Sequence, residues 1–272
     1  MTPEDLKAAW GRKVFFLYPH SVLSESLFME ILNNEYEVYV LKSHEHAMKA
    51  ASIFPGSIMF VNIDGVLAEK EWESWIRRLM GDPKAGQTKV GILTYNADQE
   101  LAKKYLMEIA VPCGYIQLKQ GLVEGKRIIL KMLEANEARG RRRYVRARCM
   151  SSQKSIFNMK IMGKLHTGII LDISAAGMTF TMDKPVIIKG NSLIQDIQLK
   201  LKGVLCRVSG AVVGDVRESS ARNLLLFKQP VPADSRDKIH KFIFHSLQEE
   251  MESIIGKTIL SGGTPKQAGS PQ

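Results

Sequence analysis

Two clusters of residues in this chain combine types and spacing suited to chemistry. The first is RGRRRYVRAR, Arg139 to Arg148, with six arginines and no acid in ten residues. A guanidinium is planar, permanently charged and presents paired N–H donors, which suits phosphate oxygens or the O6/N7 edge of guanine better than an ammonium does. Arg142 and Arg146 stand in an RxxxR spacing, with Arg141, Arg143 and Arg148 beside them. The second cluster is Asp172-Ile173-Ser174-Ala175-Ala176-Gly177. An ionised aspartate accepts two parallel N–H bonds, a serine hydroxyl adds another contact, and a glycine admits a turn or a close backbone approach that a Cβ would obstruct. Each cluster also has an ordinary reading. Basic runs are usually solvated or contact nucleic-acid phosphates without selectivity, and Asp172 and Ser174 could simply cap a turn.

The elements that must position these residues come from a chain of 272 residues, long enough for two domains. Its 45% apolar and 24% charged residues are ordinary for a globular protein, whereas its formal charge of +10 favours anionic partners. Cys113, Cys149 and Cys206 are too few and too scattered for a disulfide framework or a zinc site, which points to a reducing cytoplasm. The start, MTPEDLKAAWGRK, has no leader-like apolar run, and the longest apolar stretches fall well short of the roughly 20 residues a membrane span needs.

From Lys13 to about Ala138, short β-branched or aromatic runs alternate with amphipathic helical stretches, the pattern of a parallel sheet with crossover helices. The spacing predicts strands over Val14–Leu17, Val38–Leu41, Ile58–Ile63, Val90–Thr94 and Tyr115–Leu118. Leu23, Leu27, Ile31 and Leu32 share one helical face. Leu101, Tyr105 and Ile109 share another, with Asn96 as the expected N-cap, and a last helix is expected over Leu122 to Ala138. Five such repeats suit a flavodoxin-like α/β order.

This half resembles a response-regulator receiver domain. The resemblance implies an acidic pair after the first strand and a phosphoaccepting aspartate at the end of the third. Tyr18 and Pro19 stand in the first place and Asn62 in the second, while Thr94 and Lys119 match the switch hydroxyl and the lysine. An amide forms no acyl phosphate, and Mg²⁺ requires hard oxygen ligands, so a receiver-like domain without phosphorylation is expected. Asp64 is the alternative acceptor if the register slips, and its ordinary role is to cap the strand end.

Past the arginine run the periodicity becomes alternating. Ile197, Leu199 and Leu201 alternate with polar residues, and strands are expected over Val204–Val208, Ala211–Val216 and Asn223–Phe227, separated by Gly203, Gly210 and polar turns. A small antiparallel barrel follows, closed by a helix from Ser235 to about Ile255. The run Arg139 to Arg148 should be poorly ordered until an anion arrives, and the tail GKTILSGGTPKQAGSPQ disordered. The expected layout is therefore residues 1–138, 139–255 and a tail, 256–272.

An RxxxR arm at the entrance to a small barrel, followed by DxSxxG between two strands, resembles the PilZ family of cyclic di-GMP receptors over about Arg139 to Ile255. The resemblance implies that Arg142 and Arg146 hold phosphate or guanine, that Asp172 accepts from guanine N1–H and N2–H, and that Ser174 and Gly177 complete the turn. Arg143 would stack or attract at long range, and Arg141, just before the arm, goes with a stacked ligand dimer. Cyclic di-GMP is then the ligand, with no cofactor, no metal and no membrane insertion. Signalling would pass through contact with a protein target, with a homodimer open.

Other constellations carry less. His44 and His46 have a metal-pair spacing without a third ligand, and Trp72 and Trp75 fit a helix face better than a stacking platform. No nucleotide-binding P-loop, zincin or nucleophile-elbow motif is present, so no catalysis is expected. Two rivals remain: a nucleic-acid-binding response regulator, and a phosphorylation switch with an interaction-only barrel.

Overall fold

The runs VFFL, VYVL and IMFVN are apolar at nearly every position, so a strand made from any of them must be covered on both faces. The computed structural model, which describes residues 11–21, 25–140, 143–149, 155–216 and 222–261, meets that demand with one parallel sheet. Its elements are β1 (Val14–Leu17), α1 (Glu25–Asn33), β2 (Val38–Leu41), α2 (His44–Ile53), β3 (Ile58–Asn62), α3 (Glu69–Gly81), β4 (Lys89–Thr94), α4 (Gln99–Lys103), β5 (Tyr115–Gln117) and α5 (Leu122–Ala135). The strand order β2-β1-β3-β4-β5 is the flavodoxin-like one anticipated from the repeats. Leu27, Ile31, Leu32, Trp72, Trp75, Ile129 and Leu133 are buried on the inner faces of their helices. Leu23 lies outside the described residues.

Local corrections concern ends. Strands β3 and β5 stop at Asn62 and Gln117, and α5 at Ala135, each short of the expected limit. The cap of α4 is Asp98, whose side chain accepts from the Glu100 N–H, while Asn96 accepts from the Asp98 N–H one turn earlier. Two polar residues suited to capping stand close together, and the nearer one takes the helix. Beyond α4 the chain widens into a π-helical turn, Lys104–Glu108, which delivers Tyr105 to the core.

The second half contains β6 (Arg146–Arg148), β7 (Ile156–Ile161), β8 (Lys164–Ser174), β9 (Gly177–Met182), β10 (Leu193–Leu201), β11 (Val204–Val213), β12 (Asn223–Phe227) and α6 (Ala233–Ser261). Strands β7-β10-β11-β12-β9 run in that order, and β8 pairs with both β7 and β9, closing a six-stranded antiparallel barrel with β6 added on β8. Phe157 and Phe180 meet edge to face inside it, centroids 5.1 Å apart. Gly168 is obligatory beside them, since a Cβ there would lie 2.1 Å from the Thr181 carbonyl and 2.6 Å from the Phe157 ring. Gly210 is no turn, in contrast to expectation. It sits inside the unbroken β11, where a Cβ would come within 2.5 Å of the Leu226 carbonyl.

Helix α6 covers the barrel through Ile239, Phe242, Ile243 and Leu247 and runs on to Ser261, past the expected end at Ile255. It also reaches the first half. Phe244 stacks on Phe28 of α1 at 6.0 Å and 6°, and the buried residues of both halves form one contiguous cluster. The Gln248 carboxamide both donates to the Val40 carbonyl (2.8 Å) and accepts from the Val40 N–H (3.0 Å), so the outer edge of β2 is paired by a side chain. Replacing Gln248 by alanine leaves both groups of Val40 without that partner and should lower unfolding free energy by about 1 to 2 kcal/mol. Urea denaturation of the full chain measures this.

Candidate functional site

The arginine run forms a strand where alternation gives it a face to bury. Val145 and Ala147 are buried while Arg146 and Arg148 point outward, and β6 adds to β8 with Arg146 opposite Ser174, Ala147 opposite Ile173 and Arg148 opposite Asp172. A strand over Arg146–Arg148 departs from the expectation of an arm poorly ordered until an anion arrives. Strand pairing on one side and two apolar side chains on the other offset the repulsion among the cations.

The register brings the two sequence clusters together. The Arg146 guanidinium lies 3.8 Å from Asp172 Oδ1, with the two side chains 44% and 22% exposed. Asp172 also accepts from the Thr179 hydroxyl on β9. The β8–β9 ladder slips between Ile170 and Asp172, a bulge of the kind that re-aims a side chain. Asp172 therefore holds one firm hydrogen bond and one loose ion pair.

Ser174 is buried, donating to the Gly177 carbonyl at 3.2 Å and accepting from the Ala176 N–H at 3.3 Å, so its hydroxyl serves the β8–β9 turn. Gly177 is required by close approach: a Cβ would meet the Leu225 carbonyl at 2.3 Å. The guanidinium of Arg143 lies 5.4 Å from the Tyr144 ring centroid. Arg139 donates to the Asn34 carbonyl at 3.1 Å and packs over Tyr36. Arg141 and Arg142 lie outside the described residues.

Sequence reasoning missed Glu35. This turn residue of the first half accepts from the Val145 N–H at 2.7 Å and so ties the arm to the parallel-sheet half. Burial pushes its carboxyl up to about 7, opposed by the Val145 N–H and the Arg139 charge. No local signal marks it, because the contact spans more than a hundred residues.

At the carboxyl ends of the parallel strands, Asn62 donates to the Tyr18 carbonyl (2.8 Å) and accepts from the Asp64 N–H (3.1 Å). Asp64 accepts from the Thr94 hydroxyl and from the Tyr95 N–H, capping the end of β4. Among the described residues no group of three or more His, Cys, Asp or Glu could hold a metal ion. His44 meets the Tyr18 hydroxyl, and the His46 N–H is capped by Ser43. No helix among the described residues is long and apolar enough to cross a membrane.

No known family model matches the chain, and no curated protein does. Solved structures do. The PilZ domain of YcgR from Escherichia coli, solved with c-di-GMP, is 15% identical, with 42% of this chain and 97% of that one covered at a TM-score of 0.36. The MrkH–c-di-GMP complex of K. pneumonia is 19% identical, covering 46% and 55%, TM-score 0.33. The Bacillus subtilis inhibitor of motility MotI is 14% identical, covering 39% and 51%, TM-score 0.30. The barrel half is similar to PilZ domains. The chain spans only about half the length of MrkH and MotI, and the likeness is one of fold.

Two outcomes follow from the geometry. Because the Glu35 carboxyl titrates near 7 in the folded chain and near 4.5 when unfolded, its contribution is fully present below about 4.5 and is lost as pH rises through about 7. Glu35→Gln removes that dependence, and should exceed the wild type in stability at pH 8 by on the order of 1 kcal/mol after allowance for partial exposure, with little gain at pH 5. Urea midpoints at the two pH values measure it. Acetyl phosphate should leave the intact mass of the chain unchanged, since Asn62 cannot accept a phosphoryl group.

Proposed function

We propose that this chain is a noncatalytic receptor for cyclic di-GMP, whose ligand is held by the arginine arm and the β8–β9 turn. The observation that carries the reading is the pairing of Arg146 with Asp172 across β6 and β8. At 3.8 Å the pair is longer than a hydrogen bond, so both groups can be recruited by a ligand without breaking a strong contact.

The two groups have complementary tastes. A guanidinium donates in parallel to phosphate oxygens or to guanine O6 and N7, and a carboxylate accepts from guanine N1–H and N2–H. A dinucleotide of guanosine with two phosphates presents all of these. Arg141, Arg142 and Arg143 extend the donor set along the same arm, while Ser174 and Gly177 shape the turn that carries Asp172. Cyclic di-GMP is also the ligand with which YcgR and MrkH were solved.

In this reading residues 1–138 form a receiver-like domain that is not phosphorylated, and residues 139–255 the binding domain. The arm joins them, so capture of an anion along it changes how the halves sit together, and a protein partner reads the change.

Calorimetric titration of cyclic di-GMP tests the assignment. The wild type should bind, and Arg146→Ala and Asp172→Ala should each weaken binding by tenfold or more, since a charge-assisted hydrogen bond contributes about 1.5 to 3 kcal/mol. Affinity indifferent to both substitutions would sink the site. Retention on duplex or single-stranded oligonucleotides that falls steeply with salt, without selective cyclic di-GMP binding, would favour a nucleic-acid ligand instead.

A further inference from the structure

A cavity of about 800 Å³ lies on the seam between the parallel-sheet half and the barrel. Arg146 and Arg148 of β6 line it from the barrel side, Arg139 from the arm, and Phe54, Pro55 and Gln87 from the loops at the amino ends of the parallel strands. Five basic side chains line it against three acidic ones, so an anion is the favoured guest. Its volume falls within the roughly 300 to 1,000 Å³ of small-molecule sites.

The side chains of the first half divide into those already committed and those available. Arg12 spends its guanidinium on the Asn136 carbonyl (3.0 Å) and the Gly56 carbonyl (2.7 Å), which fixes the loop after α2. Lys13 is paired with Glu37 at 2.6 Å, and its ammonium sits 5.0 Å from the centroid of Phe54 and 5.2 Å from that of Tyr39. Phe54 is thus held by a buried framework while its ring stays half-buried at the cavity wall. A fixed aromatic ring from one half, facing a space shared with arginines from the other, complements a molecule that carries both bases and phosphates.

Resting on the reading of the chain as a cyclic di-GMP receptor, we propose that the parallel-sheet half supplies a second wall of the site. The cavity takes the part of the dinucleotide that the Arg146–Asp172 face leaves uncovered, with Phe54 against a guanine and Arg139 and Arg148 toward a phosphate. Arg146 connects the two regions, because it lines the cavity and pairs with Asp172. Ligand affinity then depends on residues outside the barrel, and the ligand itself bridges the halves.

Calorimetric titration of cyclic di-GMP into the full chain, the wild type against Phe54→Ala, Gln87→Glu and Arg146→Ala, tests this. Loss of one base-stacking contact should weaken binding by roughly tenfold in Phe54→Ala. Gln87 is exposed in a turn, so Gln87→Glu should keep the fold and weaken binding several-fold, more at low salt than at high. Should Phe54→Ala fail to fold by circular dichroism, Gln87→Glu decides alone. If the wild type binds, Arg146→Ala loses binding and both first-half variants keep wild-type affinity, the second wall is overturned and the barrel site stands. Absence of wild-type binding overturns both.

Discussion

Repulsion among the six arginines between Arg139 and Arg148 is the constraint around which the two halves are arranged. A run of like charges does not hold its place by propensity, and each described stretch of this one has a visible counterweight. Arg139 is drawn to a backbone carbonyl and an aromatic face, the Val145 N–H to the half-buried Glu35 carboxyl, and β6 to the edge of β8 beside Asp172. These counterweights come from both halves. The arm is less a linker than a shared boundary, and an anionic guest would add to a balance already struck between positive charge and scattered acceptors.

The parallel-sheet half shows the reverse tendency at the end where flavodoxin-like folds usually place their chemistry. There Asn62, Asp64, Thr94 and the Tyr18 carbonyl satisfy one another through short-range hydrogen bonds, and Trp72 packs edge-on against Tyr18. Polar groups that bind each other are not poised for a guest. The open, positively lined space sits instead at the amino ends of the strands, next to the barrel. The flavodoxin-like frame thus carries a positively lined space at the pole opposite this polar network.

Most of the parallel sheet was legible because its strands are buried on both faces, which leaves unbroken apolar runs that no other element explains. The barrel was legible only in part. Alternation marks β10 clearly, yet β7 and β8 mix polar residues with exposed Ile156, Leu165 and Ile169, which blurs the two-residue period. Gly210 reads as a turn from composition, whereas its role is to admit a neighbouring carbonyl. The candidate site follows the same division. Arg146 and Asp172 could be named from spacing, and the structure brings them together. Glu35 and Phe54 could not be named, since their roles arise from contacts between segments distant in sequence, and Arg141 and Arg142 lie outside the described residues.

The carboxamide of Gln248 on Val40 has a consequence for assembly. An unpaired outer strand is a template onto which another chain can add, and folded proteins usually blunt such edges with charge, proline or a covering element. Here the covering element belongs to the other half: one residue of a barrel helix behaves as a one-residue strand. The sheet's safety against edge-to-edge aggregation is thereby borrowed from the barrel. Any event that lifts the helix, whether truncation, proteolysis or excessive separation of the halves, uncovers a sticky edge together with the apolar face of Phe28. That hazard ties the two halves into one solubility unit and limits how far they can part.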